Sequence, residues 1–105
     1  MSLDPILWEE RFHQHMEVRG WSADTAATYL AGLRPFMRFL QDQGVASLGA
    51  VTREQVENYR TELFYRKYRG KSLSLATQQA RLSSVKAFFR FAARRGYVLL
   101  DVAAG

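Results

Sequence analysis

The groups in this chain with chemistry to offer are five tyrosines, two histidines, ten carboxylates and fifteen lysines and arginines. Cysteine is absent, which removes disulfides and thiolate metal sites. His13 and His15 are two apart, so on a helix they point in different directions and chelate one metal ion poorly. The acids are scattered near helix starts, and no two are placed for general acid–base work. Gly44, Gly49, Gly70 and Gly96 punctuate helices rather than form a phosphate-cradling loop. No metal, cofactor or small-molecule substrate is therefore expected. What remains is positive charge, and its placement is uneven.

Residues 1–57 carry five arginines against eight carboxylates, a net of −3, while residues 58–105 carry ten lysines and arginines against two, a net of +8. A basic half of this kind is the electrostatic footprint of a polyanion partner, most often nucleic acid; a merely solvated basic surface is the plain alternative. The densest run is RLSSVKAFFRFAARRG, residues 81–96. On a wheel turning about 100° per residue, Gln79, Ser83, Lys86, Arg90 and Arg94 fall on one stripe, with Ala76, Ala80, Ser84 and Ala87 beside them. An ordinary solvated helix mixes Glu with Lys for favourable pairs; this one has no acid. Small side chains among the cations would let a phosphate backbone come close. A DNA major groove about 12 Å wide admits a helix, with Arg or Lys on phosphates and Gln, Ser or Arg at base edges. Lys71 belongs to a second basic run, YRKYRGKS at residues 65–72.

Four helices position these groups. The first opens at Asp4 and Pro5, carries Leu7, Trp8, Phe12 and Met16 at helical spacing, and stops at Gly20. The second begins at Ser22 and ends at Gly44, with Ala26, Tyr29, Leu30, Leu33, Phe36, Met37 and Leu40 on one arc. The arc stays in phase across Pro35, so one bent helix is expected rather than two. Thr25 and Thr28 flank its N-terminal end, where free N–H groups favour an anion. The pair Arg34 and Arg38 faces either DNA or water. The third helix has capping-box spacing at Thr52 and Gln55, with Val51 stapling onto Val56 and an inner face of Val56, Tyr59, Leu63 and Phe64. The fourth starts at Ser72 or Ser74 and runs to Arg95, its apolar arc being Leu75, Leu82, Val85, Phe89 and Ala92, with Phe88 at the edge. The tail YVLLDVAAG is a short apolar tail or the start of a linker. No strand pattern is visible, so the fold class is all-α.

The run SADTAATYLAGLRPFMRFL (residues 22–40), followed by VTREQV (51–56) and SLATQQARLSSVKAFFRF (74–91), resembles the core-binding domain of tyrosine recombinases, the phage-integrase and Xer-type enzymes. The likeness covers about residues 5–105; the ordered series carries it, since no single motif is specific. It implies a four-helix SAM-like orthogonal bundle forming one half of a C-shaped clamp on DNA, the other half being a separate catalytic domain. It implies that the second and fourth helices approach the major groove, which favours Thr25, Thr28, Gln79, Arg81, Ser83, Lys86 and Arg90 as contacts. On the wheel Arg81 lies beside the apolar arc and fringes the core. Two positions depart from the family pattern: Gly32 stands where an acid often precedes the leucine, and Asp101-Val102 where Asn-Pro often leads into the linker.

In that family a tyrosine attacks a phosphodiester while arginines, a lysine and histidines stabilise the developing charge. Those residues belong to the catalytic domain, for which residues 1–105 have no room, so the chain is expected to be a single DNA-binding domain without activity of its own. Its tyrosines read otherwise: Tyr29 and Tyr59 on inner faces, Tyr65, Tyr68 and Tyr97 near helix ends. The expected partners are double-stranded DNA and other recombinase subunits in a synaptic tetramer. With no apolar run near the ~18 residues of a membrane span, the expected location is the cytoplasm, in association with the nucleoid. The competing reading is a helical protein–protein interaction domain that docks through YVLL, Phe91 and Tyr97.

Overall fold

Each long helix starts where a side chain accepts the N–H groups that its first turn leaves free. In the computed structural model, which describes residues 3–104, Asp4 accepts from Ile6 and Leu7 at the head of α1 (Pro5–Val18). Ser22 accepts from Thr25 at the head of α2 (Ala23–Asp42). Thr52 and Gln55 form a reciprocal capping box on α3 (Arg53–Tyr65), with bonds of 3.2 and 2.9 Å. Ser74, rather than Ser72, caps α4 (Leu75–Arg94) through the Thr77 N–H. A short 3-10 turn at Leu48–Ala50 links α2 to α3. The fourth helix ends in a Schellman arrangement: Tyr97 N–H donates to the Ala92 carbonyl and Gly96 N–H to that of Ala93, with Gly96 at φ +74°.

The second helix passes unbroken through Pro35. The carbonyl left without a donor is that of Ala31, which lies on the exposed side where water can reach it. One local correction concerns the loop after α3. Where no strand was expected, β1 (Lys67–Tyr68) and β2 (Lys71–Ser72) pair antiparallel around Arg69 and Gly70, both at positive φ. Two-residue strands are too short to show alternation, and Arg-Gly is not a usual turn pair for such a hairpin. The side chain of Tyr68 lies outside the described residues.

The core is aromatic. Trp8 and Phe12 of α1 meet Phe88 of α4 edge to face, and Phe36 of α2 meets Tyr59 and Phe89 in the same way. The most extensive helix contact is that of α2 with α4. There the apolar arc of α4 is rotated from the expected one. Leu75 is 68% exposed, whereas Phe88 and Phe91 are buried. The N-terminal turn of α4 has little above it, and the helix is so apolar around residues 87–93 that its periodicity leaves the inner face ambiguous. Ser84, expected beside the wet stripe, is 2% exposed and faces Gly32. A Cβ at Gly32 would lie 2.2 Å from the Ser84 Oγ. Ser84 thus serves helix contact while Ala76 and Ala80 stay exposed, and the absence of a side chain at Gly32 lets the two helices approach. Phe64, expected inside, is exposed.

The tail folds back rather than leading away. Ala103 is buried, Tyr97, Val98 and Val102 are half-buried, and Arg53 donates to the carbonyls of Asp101 and Ala104. The Asp101 carboxylate accepts the Ala103 N–H, closing a local turn. Among the described residues no helix is long and apolar enough to cross a membrane.

Candidate nucleic-acid interface

The buried arc of α4 runs through Ser84, Val85, Phe88, Phe89, Phe91 and Ala92, so the opposite side must face out. Gln79, Ser83, Arg90 and Arg94 are all exposed there, and Lys86 is half-buried on the same side. The structure therefore brings these five predicted residues into one row about four turns long. No acid lies on the helix, and among the described residues none of its four cations, Arg81, Lys86, Arg90 and Arg94, forms an ion pair.

The row is not uniform. Lys86 leans over α3, where it lines a narrow cleft of about 80 Å³ with Arg53, Glu57 and Arg60. Glu57 pairs there with Arg60 at 3.5 Å, so the field around Lys86 is partly neutralised. Arg90 and Arg94 lean the other way, toward α1, and share a hollow with Arg19 and Trp21. Positive charge consequently spreads from the row onto the end of α1.

Thr25 and Thr28 are exposed on α2. Gly32 meets Ser84, while Trp21 shares the hollow with Ala87, Arg90 and Arg94, so α2 and α4 run past each other in opposite senses. In sequence the two threonines lie between those contacts, and on the α2 wheel they lie close to Gly32. Both hydroxyls are already engaged. Thr25 Oγ1 accepts from Ser22 Oγ at 2.8 Å, and Thr28 Oγ1 donates to the Asp24 carbonyl at 2.9 Å. Asp24 also occupies the first turn, where its carboxylate competes with any other anion for the helix terminus. A phosphate donor role for Thr28 requires it to give up its backbone bond.

The remaining candidates stand apart. Arg81 points away from the row and lines a cavity of about 440 Å³ with Arg66, Lys67 and Leu73, beside the hairpin. It also faces Tyr59, whose hydroxyl burial pushes up to about 12, with Arg81 opposing the shift. Lys71 is exposed on β2 and belongs, with Lys67 and Arg69, to a small basic hairpin. Arg34 is taken up by an ion pair with Glu9 of α1, whereas Arg38 is exposed. The histidines diverge: His13 lies 3.6 Å from Glu17, while the ring of His15 packs at a tilt against that of Phe91, 4.6 Å between centres. Arg11, Arg19 and Arg95 were not singled out in the sequence, because α1 and the end of α4 are joined only by the fold.

A family model described as the phage integrase, N-terminal SAM-like domain matches residues 10–96. A tyrosine recombinase XerC 2 of Ralstonia nicotianae is 34% identical over 95 residues, covering 90% of this chain and 27% of that protein. A tyrosine recombinase XerC of Listeria monocytogenes is 31% identical over 91 residues, covering 86% of this chain and 29% of its own. A tyrosine recombinase XerC of Halalkalibacterium halodurans is 27% identical over 100 residues, covering 94% and 31%. The chain thus spans less than a third of the length of these curated relatives. No solved structure matches it significantly.

Proposed function

The chain belongs to the phage integrase N-terminal SAM-like domain family, and on that premise we propose that it is the DNA-binding module of a site-specific tyrosine recombinase. Residues 1–105 act as one core-binding domain that holds duplex DNA as half of a clamp. A separate C-terminal domain performs strand cleavage and rejoining, and this domain contributes affinity and orientation without catalysis of its own. The full subunits assemble on DNA as a synaptic tetramer, in the cytoplasm and on the nucleoid. Double-stranded DNA is the partner, and no cofactor is needed.

The observation that carries this reading is the exposed, acid-free row Gln79, Ser83, Lys86, Arg90 and Arg94 on α4. Arg90 and Arg94 supply phosphate contacts, Lys86 reaches the backbone at the α3 edge, and Gln79 and Ser83 present short polar groups to base edges. Thr25 and Thr28 flank the duplex from α2. Lys71 and Arg81, on the hairpin side, act as outlying electrostatic contacts.

Binding of the chain alone should be weak and steeply salt-dependent, with non-specific dissociation constants of roughly 10⁻⁴–10⁻⁶ M. Fluorescence anisotropy of a labelled duplex across a salt series tests this directly. The Lys86→Ala/Arg90→Ala variant should flatten the slope of log K against log salt by about two, one for each phosphate left without its cation. An unaltered slope and affinity in that variant would remove α4 from the interface.

A second reading has its own observation. Leu99 and Leu100 are exposed beside an apolar cleft of about 310 Å³ lined by Leu48, Val51 and Phe89, which suits docking on another protein. Phe91, offered for that role by the sequence, is buried and unavailable. Sedimentation without DNA separates the two: a stable oligomer lacking duplex affinity supports protein docking.

A further inference from the structure

The arginines outside the α4 row converge. Arg19 caps the end of α1, Arg95 caps the end of α4, and the imidazole of His15 lies between them. On one side of His15 a cavity of about 280 Å³ is lined by Arg11, Arg19, Arg95 and Tyr97. On its other side a hollow of about 120 Å³ is bounded by Arg19, Trp21, Arg90 and Arg94. Among the described residues no carboxylate lines either space.

Five guanidinium groups are thereby gathered around one imidazole with no carboxylate among the described residues that line the two spaces. The Glu17 carboxylate lies 3.6 Å from His13 Nδ1 and lines neither space. Arg11 lies against the rings of Trp8 and Tyr97, 4.9 and 5.0 Å from their centres, and its Nη1 is buried with no hydrogen-bond partner among the described residues. A buried guanidinium donor without a partner is costly, and the side chain that carries it is one of those lining the acid-free cavity. The acceptor that fits several planar donors at once is an oxyanion, bound through charge-assisted hydrogen bonds.

We propose that the junction of the α1 and α4 C-terminal ends is a phosphate-binding site, in which Arg19, Arg95 and His15 grip one tetrahedral oxyanion. Arg11 stands behind them, and Arg90 and Arg94 border the site from α4. The assignment goes beyond duplex binding by the α4 row and does not depend on it. Phosphate reaches the pocket from either of two sources: the backbone of a duplex that continues past Arg94, or a free phosphate group.

The ionisation of His15 makes the site self-reporting. Burial first, then Arg19, Arg95 and Arg94, hold its imidazole below the ordinary value of 6.5. The groups facing it are Arg11 and Arg19 from α1, Arg90 and Arg94 from α4, and Arg95 and Tyr97 after α4. An oxyanion reverses that balance by favouring the imidazolium, so binding takes up a proton and tightens as pH falls.

The experiment is an NMR titration of the two histidines at constant ionic strength, with chloride replaced by sulfate. Sulfate mimics phosphate without titrating itself. It should raise the midpoint of His15 by about one unit, a tenfold preference for the charged ring, and leave His13 in place. The Arg19→Ala/Arg95→Ala variant should lose that shift; if it does not fold, the exposed Arg19→Ala change alone should reduce it. In a parallel arm a duplex replaces sulfate. A shift with both ligands, or with duplex alone, identifies backbone phosphate as the source, and a shift with sulfate alone identifies a free anion. A His15 midpoint unmoved by either ligand overturns the proposal, even where anisotropy shows that duplex binds.

Discussion

The Tyr59 hydroxyl is buried and has no hydrogen-bond partner among the described residues, although its ring fills the space between Phe36 and Phe39. An unmade hydrogen bond at a desolvated group costs about 1–3 kcal/mol. Replacing Tyr59 by Phe keeps the ring and removes the orphan, so thermal or urea unfolding should show a protein as stable as the parent or more so. The same burial raises the hydroxyl to about 12, so the folded state keeps a proton that the unfolded state loses at its ordinary value of 10.0. Stability from this source is complete below pH 10 and is lost as pH rises toward 12; the Phe variant should lack that decline. His15 works in the opposite range. Its imidazole is held below 6.5, so its contribution is present above that pH and fades as pH falls through the folded value. At this scale the sequence was informative about residue type and blind to company. It marked Arg90 and Arg94 on one helix, but nothing local could show that Arg11, His15 and Arg19, some seventy-five residues away, lie against them.

Among the elements, the contact of α2 with α4 decides how the row is presented. Gly32 and Ser84 are its closest point, and any side chain at Gly32 must displace Ser84. Gly32→Ala should therefore destabilise the fold by about 1–3 kcal/mol, as overpacking does, although alanine favours a helix. Ser84→Gly removes both atoms that the new Cβ would strike, so combining the two should cost less than the sum of the single changes. A double-mutant cycle measures that coupling; strict additivity would mean that the helices do not meet there. The helix boundaries were legible because capping is local chemistry: Asp4, Ser22 and the Thr52–Gln55 box each act within a few residues. The inner face of α4 was less so. Leu75 counted toward an apolar arc although no helix covers it, and the run AFFRFAA offers aromatics on more than one side. Gly32, a departure from the family pattern in the sequence, becomes intelligible only once Ser84 is seen opposite it.

At the scale of the whole molecule, charge is sorted by the fold as well as by the sequence. The acid-rich first half spends two of its five arginines internally, with Arg34 on Glu9 and Arg53 on the returning tail. The basic second half keeps Arg90 and Arg94 outward and adds Arg19 from the end of α1. The result is a helical body with one cationic side, which is what orientation on a polyanion requires. The tail, where a linker was one expectation, packs Val102 and Ala103 back onto the body, where residues 102–104 line the cleft between Lys86 and α3. The central claim is that the outer row of α4 lies against duplex DNA, and amide chemical-shift mapping by NMR during a duplex titration at low salt tests it most directly. The account predicts that the shifts concentrate on residues 79–94, with smaller changes at Thr25 and Thr28, and spare the exposed positions Glu54, Asn58 and Thr61 of α3. Shifts centred on α3, or a spectrum that stays unchanged as duplex is added, would contradict it.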